Sequence, residues 1–138
     1  MTRKVSLFIS ACAVAIGVMP VATVHSAQQF HCPQWRSLAL RVGFTAKDYG
    51  KLDYIIWRES KCAPTAINVN HHANGRVTRD WGLTQVNDFS WITFLRNRKI
   101  VTKSTQLLNP KANLEAALAL YDYSKNYHGD PWLQWEKK

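Results

Sequence analysis

The stretch LDYIIWRES, residues 52–60, decides the fold of this chain. Leu52, Ile55 and Ile56 recur at the spacing of one helix face, and Glu59 follows on the same face. The pattern predicts a helix that aims a carboxyl group toward the protein core. Burial and the negative end of the helix dipole both favour the neutral form of this group, which general-acid catalysis requires. The alternative is a partly exposed glutamate at a helix end, bonded to a nearby arginine.

Helices are predicted on both sides of this stretch. Pro33 begins a first helix that Gly43 closes, and Thr45 with Asp48 forms a capping pair for the helix that runs through Glu59 to about Lys61. Further helices are predicted over Phe89 to Lys99, from Asn109-Pro110 onward, and as a short turn after Gly129 that packs Trp132 and Trp135.

Helical periodicity disappears between Ala63 and Asp88. Asn74-Gly75 predicts a hairpin with a two-residue type I′ turn. The following segment DWGLTQVN, residues 80–87, is predicted to be a strand, in which Gly82 would let a ligand approach the backbone. The order of elements predicts an α+β fold that is predominantly α-helical, with a small β-hairpin region between helices.

The first 27 residues are predicted to be an export signal, which leaves residues 28–138 as one domain. Arg3 and Lys4 precede an apolar run, and small residues follow it. Two alternatives stay open, an uncleaved membrane span and lipid attachment at Cys12. Removal of the signal leaves Cys32 and Cys62, an even pair that predicts a disulfide in a secreted protein.

The chain is strongly basic. Without Arg3 and Lys4, 16 of the 18 basic residues remain against 9 acidic ones, a net charge of +7. An anionic extracellular polymer or nucleic acid would suit this charge, and the export signal favours the polymer. The main basic cluster is interpreted as a solvated helix face; it consists of Arg96, Arg98, Lys99 and Lys103.

Three segments together resemble the lysozyme-like superfamily, which includes bacterial soluble lytic transglycosylases and animal lysozymes. WRES at 57–60 resembles the end of the family's catalytic helix, and GLTQVN at 82–87 resembles its G-[LI]-x-Q-[IV]-N cleft strand. NPKANL at 109–114, followed by Tyr121, resembles the N-P-x-x-N-[IL] helix start. Together with CPQW at 32–35, the pattern is similar to small exported actinobacterial-type cell-wall lytic domains.

The resemblance implies a lysozyme-like fold and an enzyme that acts on peptidoglycan glycan strands, as a muramidase or a lytic transglycosylase. Glu59 would protonate the bond between N-acetylmuramic acid and N-acetylglucosamine. Asp80 matches the aspartate of animal lysozymes in D-[YW]-G-[IL]-x-Q-[IV]-N, and would stabilise the sugar cation or attack it. The alternative for Asp80 is a structural pair with Arg76 or Arg79. A non-catalytic peptidoglycan-binding module on the same fold is the alternative function.

The expected substrate contacts are polar or aromatic side chains near these motifs. They are Ser60, Trp81, Gln85, Asn87, Asn113, Tyr121 and Tyr123, with Trp91 as a further aromatic candidate. No cofactor is expected. No metal site is expected either, because adjacent His71 and His72 point to opposite faces of a strand and no zinc-type spacing is present. A secreted or cell-wall-associated monomer is expected, without a membrane span after signal cleavage and without a nucleic-acid partner.

Overall fold

The computed structural model describes residues 29–136, so the predicted signal at residues 1–27 lies outside the described part of the chain. Within it, helices precede and follow one small antiparallel sheet with strand order β1-β2-β3. The helices are α1 (Arg36–Val42), α2 (Ala46–Ser60), α3 (Asp88–Asn97), α4 (Pro110–His128) and α5 (Leu133–Glu136), with 3₁₀ turns at Pro33–Trp35 and Ser104–Leu108. The strands are β1 (Ile67–His71), β2 (Val77–Trp81) and β3 (Val86–Asn87). The predicted α+β, predominantly helical class is confirmed.

Helix α2 begins and faces the core as its sequence predicts. The Thr45 side chain accepts a hydrogen bond from the Asp48 backbone N–H, and the helix ends at Ser60 with Lys61 in a left-handed conformation. Leu52, Ile55 and Ile56 are fully buried. This face anchors α2 in the core, which leaves the helix end as the part that can present a reactive group.

The N-terminal segment is fastened to α2 by a disulfide and by hydrogen bonds. Cys32 and Cys62 are bridged, as predicted. The backbone N–H groups of His31 and Cys32 donate to the buried Asp53 carboxylate at 2.8 and 2.7 Å, and the Tyr49 hydroxyl donates to the Cys32 carbonyl at 2.7 Å. The bridge joins this segment to the chain three residues after Glu59, so it braces the end of α2.

The hairpin has a different turn from the one predicted. The Gly75 N–H bonds to the His72 carbonyl, the His72 N–H bonds to the Arg76 carbonyl, and positive φ occurs at Gly75 and not at Asn74. A type I′ turn needs positive φ at both central residues, so that prediction is wrong. The three-residue loop pairs Asn68 with Asp80 and Asn70 with Thr78, which puts these four polar side chains on one face.

The predicted strand over 80–87 is also interrupted. Strand β2 ends at Trp81, residues 82–85 form a tight turn closed by the Gln85 N–H to the Gly82 carbonyl, and a short β3 follows. Gly82 has φ +71°, and a Cβ there would lie 2.2 Å from the Leu107 carbonyl oxygen and 2.4 Å from Asn113 Nδ2. The protein itself approaches this glycine, which corrects the expectation that a ligand does.

Candidate active site

Glu59 lies in the last turn of α2, on the helix face that otherwise fills the core. Its side chain is 7% exposed. Ser60, the next residue, is buried, and its hydroxyl donates to the Ile56 carbonyl at 2.9 Å. Ser60 therefore supports the helix end beside Glu59, because its side chain bonds to the helix backbone.

Arg58 is a charged neighbour of Glu59. The guanidinium donates to Glu59 Oε1 through Nε at 3.1 Å and through Nη2 at 2.6 Å. The guanidinium therefore holds one oxygen of the Glu59 carboxyl group with two of its nitrogens. The sequence predicted either a buried Glu59 or a Glu59 bonded to an arginine. In the structure the Glu59 side chain is nearly buried and is also paired with Arg58.

Asp80 is placed by the hairpin and by the start of α3. It is 8% exposed, and its carboxylate oxygens accept hydrogen bonds from Asn70 Nδ2 at 2.9 Å and from Asn87 Nδ2 at 2.8 Å. Asn87 also caps α3, since its side-chain oxygen accepts from the Ser90 N–H. Neutral amide donors therefore orient both oxygens of Asp80.

The same hairpin face carries further polar pairs beside Asp80. His72 Nε2 lies 3.0 Å from the hydroxyl of the buried Thr78. Asn68 donates to Gln85 Oε1 at 2.8 Å. This face is able to offer amide and imidazole groups to a polar ligand, because Asn68 and His72 are exposed.

Two predicted substrate contacts are used inside the protein. Asn113 is fully buried: its oxygen accepts from the Thr84 N–H and hydroxyl, and its nitrogen donates to the Trp81 and Leu107 carbonyls. Gln85 is 3% exposed, and its nitrogen donates to the Gly82 and Ala66 carbonyls. These amides hold the 82–85 turn, so we do not include them among the proposed sugar contacts.

The aromatic residues that were predicted to contact the substrate lie in different parts of the fold. Trp81 is 8% exposed and belongs to the core, where its indole N–H donates to Asp88. Tyr123 and Trp91 lie in an aromatic cluster between α3 and α4, with ring centroids 5.5 Å apart. Of these, the partly exposed Tyr123 and Trp91 retain surface that a sugar ring could contact.

Tyr121 lies at the opposite end of α2 from Glu59. Its hydroxyl is 3.2 Å from Asp48 Oδ1 in the first turn of α2, and burial, followed by the charge of Asp48, raises the pKa of Tyr121. Asp48 and Glu59 are separated by about 16 Å along the helix, at roughly 1.5 Å per residue. The structure therefore does not bring Tyr121 and Glu59 together.

Among residues 29–136, no group of three or more His, Cys, Asp or Glu side chains is arranged to hold a metal ion. Over the same residues, no helix combines the length and the apolar character that crossing a membrane requires.

The fold agrees with a family match. Residues 46–135 match the family described as Transglycosylase SLT domain. The chain belongs to this family, a member of the lysozyme-like superfamily, which confirms the resemblance. SLT domains act on peptidoglycan in the cell envelope and are in general lytic transglycosylases. No curated protein and no solved structure shows significant similarity to the chain.

Sequence reasoning missed two groups at this site, Arg58 as a bridging residue and Asn70 as a partner of Asp80. The Arg58 guanidinium also donates to the carbonyl of Trp135, which is 77 residues away in the sequence. The residues around Arg58 form no pattern that would predict this contact. The Asn70 contact depends on strand register, which a correct hairpin turn would have supplied.

Proposed function

We propose that this protein cleaves the β-1,4 bond between N-acetylmuramic acid and N-acetylglucosamine in peptidoglycan, with Glu59 as the general acid. The observation that carries the proposal is the Glu59 side chain, 7% exposed at the end of a core helix that lies within the SLT match. A carboxyl group that is shielded from water but anchored by a rigid helix is suited to deliver a proton to one defined oxygen.

Proton transfer would occur twice at Glu59. In the first step the neutral carboxyl gives its proton to the glycosidic oxygen while the bond to muramic C1 breaks and positive charge develops on that ring. In the second step the ionised carboxylate takes the proton of the 6-hydroxyl group of the same muramic acid, whose oxygen bonds to C1. The product is a 1,6-anhydro ring, no water is consumed, and Glu59 recovers its proton. Membership of the transglycosylase family supports this course.

Hydrolysis is the second candidate, and Asp80 favours it. Asp80 is a nearly buried carboxylate whose two oxygens are oriented by Asn70 and Asn87. A fixed negative charge facing the sugar would stabilise the cation, or would attack C1, until water completes the reaction. In this course a water oxygen ends on muramic C1.

Mass spectrometry of products formed in ¹⁸O-labelled water distinguishes the two courses. We expect fragments from purified peptidoglycan to end in unlabelled 1,6-anhydro-muramic acid. Reducing ends that carry one ¹⁸O would support hydrolysis, and an Asp80→Asn variant should then lose activity. The absence of any cleaved fragment would contradict the proposal and favour the non-catalytic peptidoglycan-binding module.

The site of action proposed for this chain is the cell envelope, outside the cytoplasm. The bridge between Cys32 and Cys62 supports this location, because disulfides persist in oxidising compartments.

A further inference from the structure

The C-terminal helix α5 connects the end of α2 with the 82–85 turn. Trp135 of α5 is 3% exposed, and its indole N–H donates to the Thr84 carbonyl at 2.9 Å. The backbone carbonyl of the same tryptophan accepts a hydrogen bond from Arg58 Nη2. A continuous series of contacts therefore runs from the turn through Trp135 and Arg58 to Glu59.

The contact between Arg58 and Glu59 is not a consequence of helix geometry. Adjacent residues of a helix point in different directions and do not face each other. Arg58 reaches Glu59 because its side chain folds back, with its guanidinium 5.9 Å from the ring of Tyr54 and bonded to the Trp135 carbonyl. Nη2 serves two acceptors while Nε adds a second bond to Glu59, an arrangement that suits a planar guanidinium and not the single nitrogen of lysine.

We propose that Arg58 is a positioning residue for the reaction. It fixes the Oε1 atom of Glu59 relative to α5, and through Trp135 relative to the 82–85 turn. The inference rests on the proposed function, in which Glu59 transfers the proton. The guanidinium also donates to the oxygen of Glu59 that it positions, and this contact is available to the carboxylate that accepts a proton in the second step.

The competing explanation gives Arg58 a structural role alone. A basic side chain in the last turn of α2 and at the carbonyl end of α5 stabilises both helix ends. Such a role would change the stability of the protein and leave the turnover of folded protein unchanged. Turnover has therefore to be measured together with stability.

The test compares Arg58→Met and Arg58→Lys with a matched control, Arg36→Met. Arg36 is exposed, and its guanidinium also lies near an aromatic ring, 5.7 Å from Phe30, so the control removes the same charge and a similar contact. The kcat and KM for cleavage of soluble peptidoglycan fragments and the thermal midpoint are measured for each variant.

We expect Arg58→Met to lower kcat roughly 10- to 100-fold, with KM within about threefold of the wild-type value, because misplacement of a catalytic group slows the chemical step. Arg58→Lys should restore only part of kcat, and Arg36→Met should retain it. A wild-type kcat in Arg58→Met, or complete rescue by lysine, would overturn the proposal. If Arg58→Met is unfolded at the assay temperature, the kcat of Arg58→Lys decides whether the proposal holds.

A second measurement separates this inference from the proposed function. The thermal midpoints of Glu59→Gln, Arg58→Met and the double variant form a cycle that needs no activity. Non-additive midpoints support the contact on which the positioning role depends, and additive midpoints overturn it. A wild-type protein that cleaves nothing would refute the proposed function, whatever the cycle gives.

Discussion

The two candidate carboxyl groups have different kinds of neighbour. Glu59 is bonded to the Arg58 guanidinium, whereas Asp80 accepts from the neutral amides of Asn70 and Asn87. The pair of Arg58 and Glu59 joins opposite charges only while Glu59 is ionised, so loss and gain of the proton at Glu59 changes its bond with Arg58. In the proposed reaction, the two amides keep the orientation of Asp80.

Gly82 is the residue at which a single methyl group should damage the fold most. In Gly82→Ala, the new Cβ would meet the Leu107 carbonyl oxygen at 2.2 Å, in addition to the cost of φ +71°. Backbone atoms cannot yield as a flexible side chain can, so we expect a loss of about 3–5 kcal/mol in the free energy of unfolding. Urea denaturation of wild type and Gly82→Ala measures this loss.

Gly75→Ala is the control for this substitution. Gly75 also has positive φ, +79°, but a Cβ there meets nothing within 4 Å. Gly75→Ala should therefore lower the free energy of unfolding only by the strain of a left-handed backbone conformation, about 1–2 kcal/mol. Equal losses in the two variants would contradict the close approach at Gly82.

At the scale of elements, the N-terminal segment and α2 are joined by buried polar groups. Tyr49 is fully buried and donates to the Cys32 carbonyl. Burial, with a smaller contribution from the Asp53 charge, raises the pKa of Tyr49 from 10.0 to about 12. The contact between the N-terminal segment and α2 is therefore sensitive to high pH, because folding disfavours ionisation of the Tyr49 side chain.

The stability of the protein should fall as pH rises from 10 to about 12. In this interval the unfolded chain loses the Tyr49 proton and the folded chain retains it, so unfolding becomes easier; below pH 10 the contribution is complete. The shift corresponds to about 3 kcal/mol. Chemical denaturation at pH 9 to 11.5 should show a steeper decline in wild type than in Tyr49→Phe.

Tyr54→Phe is the matched control, since Tyr54 is 44% exposed. It should follow the wild-type decline. A constant difference between wild type and Tyr49→Phe across this pH range would contradict the account.

Elements with local signals could be predicted from the sequence, and elements defined by distant contacts could not. Thr45 caps α2 and Asn109 caps α4 as their sequences indicate. The turn at 82–85 escaped prediction because Leu107 and Asn113 shape it from far along the chain. The hairpin loop was off by one residue, and this shift changes which side chains share a face with Asp80.

At the scale of the molecule, the candidate site rests on a frame of distant segments. The disulfide and α5 each approach the end of α2 from a different part of the chain, and α5 also bonds to the 82–85 turn. Glu59 and Asp80 could be named from sequence motifs alone. Their surroundings could not, because Arg58 and Trp135 are separated by 77 residues and meet only in the folded protein.

The charge of the whole molecule predicts salt-sensitive binding to the cell wall. The formal net charge is +9, and basic side chains such as Arg96, Lys99 and Lys103 are exposed. Added salt screens attraction to an anionic polymer beyond about 10 Å at 0.1 M ionic strength. Binding to insoluble peptidoglycan, measured by co-sedimentation, should weaken severalfold when NaCl is raised from 20 to about 300 mM. The thermal midpoint of the protein should stay the same over this range. Salt-independent binding would contradict this role of the charge.

The central claim, that Glu59 is the general acid, is tested most directly by the cleavage rate of Glu59→Gln on purified peptidoglycan. Glu115→Gln is the control, because Glu115 is on the surface of α4 and pairs with Lys111. General-acid catalysis contributes about 10²–10⁴-fold, so Glu59→Gln should release fragments at least roughly 100-fold more slowly than wild type, while Glu115→Gln retains the wild-type rate. A folded Glu59→Gln protein that cleaves peptidoglycan as fast as wild type would contradict the account.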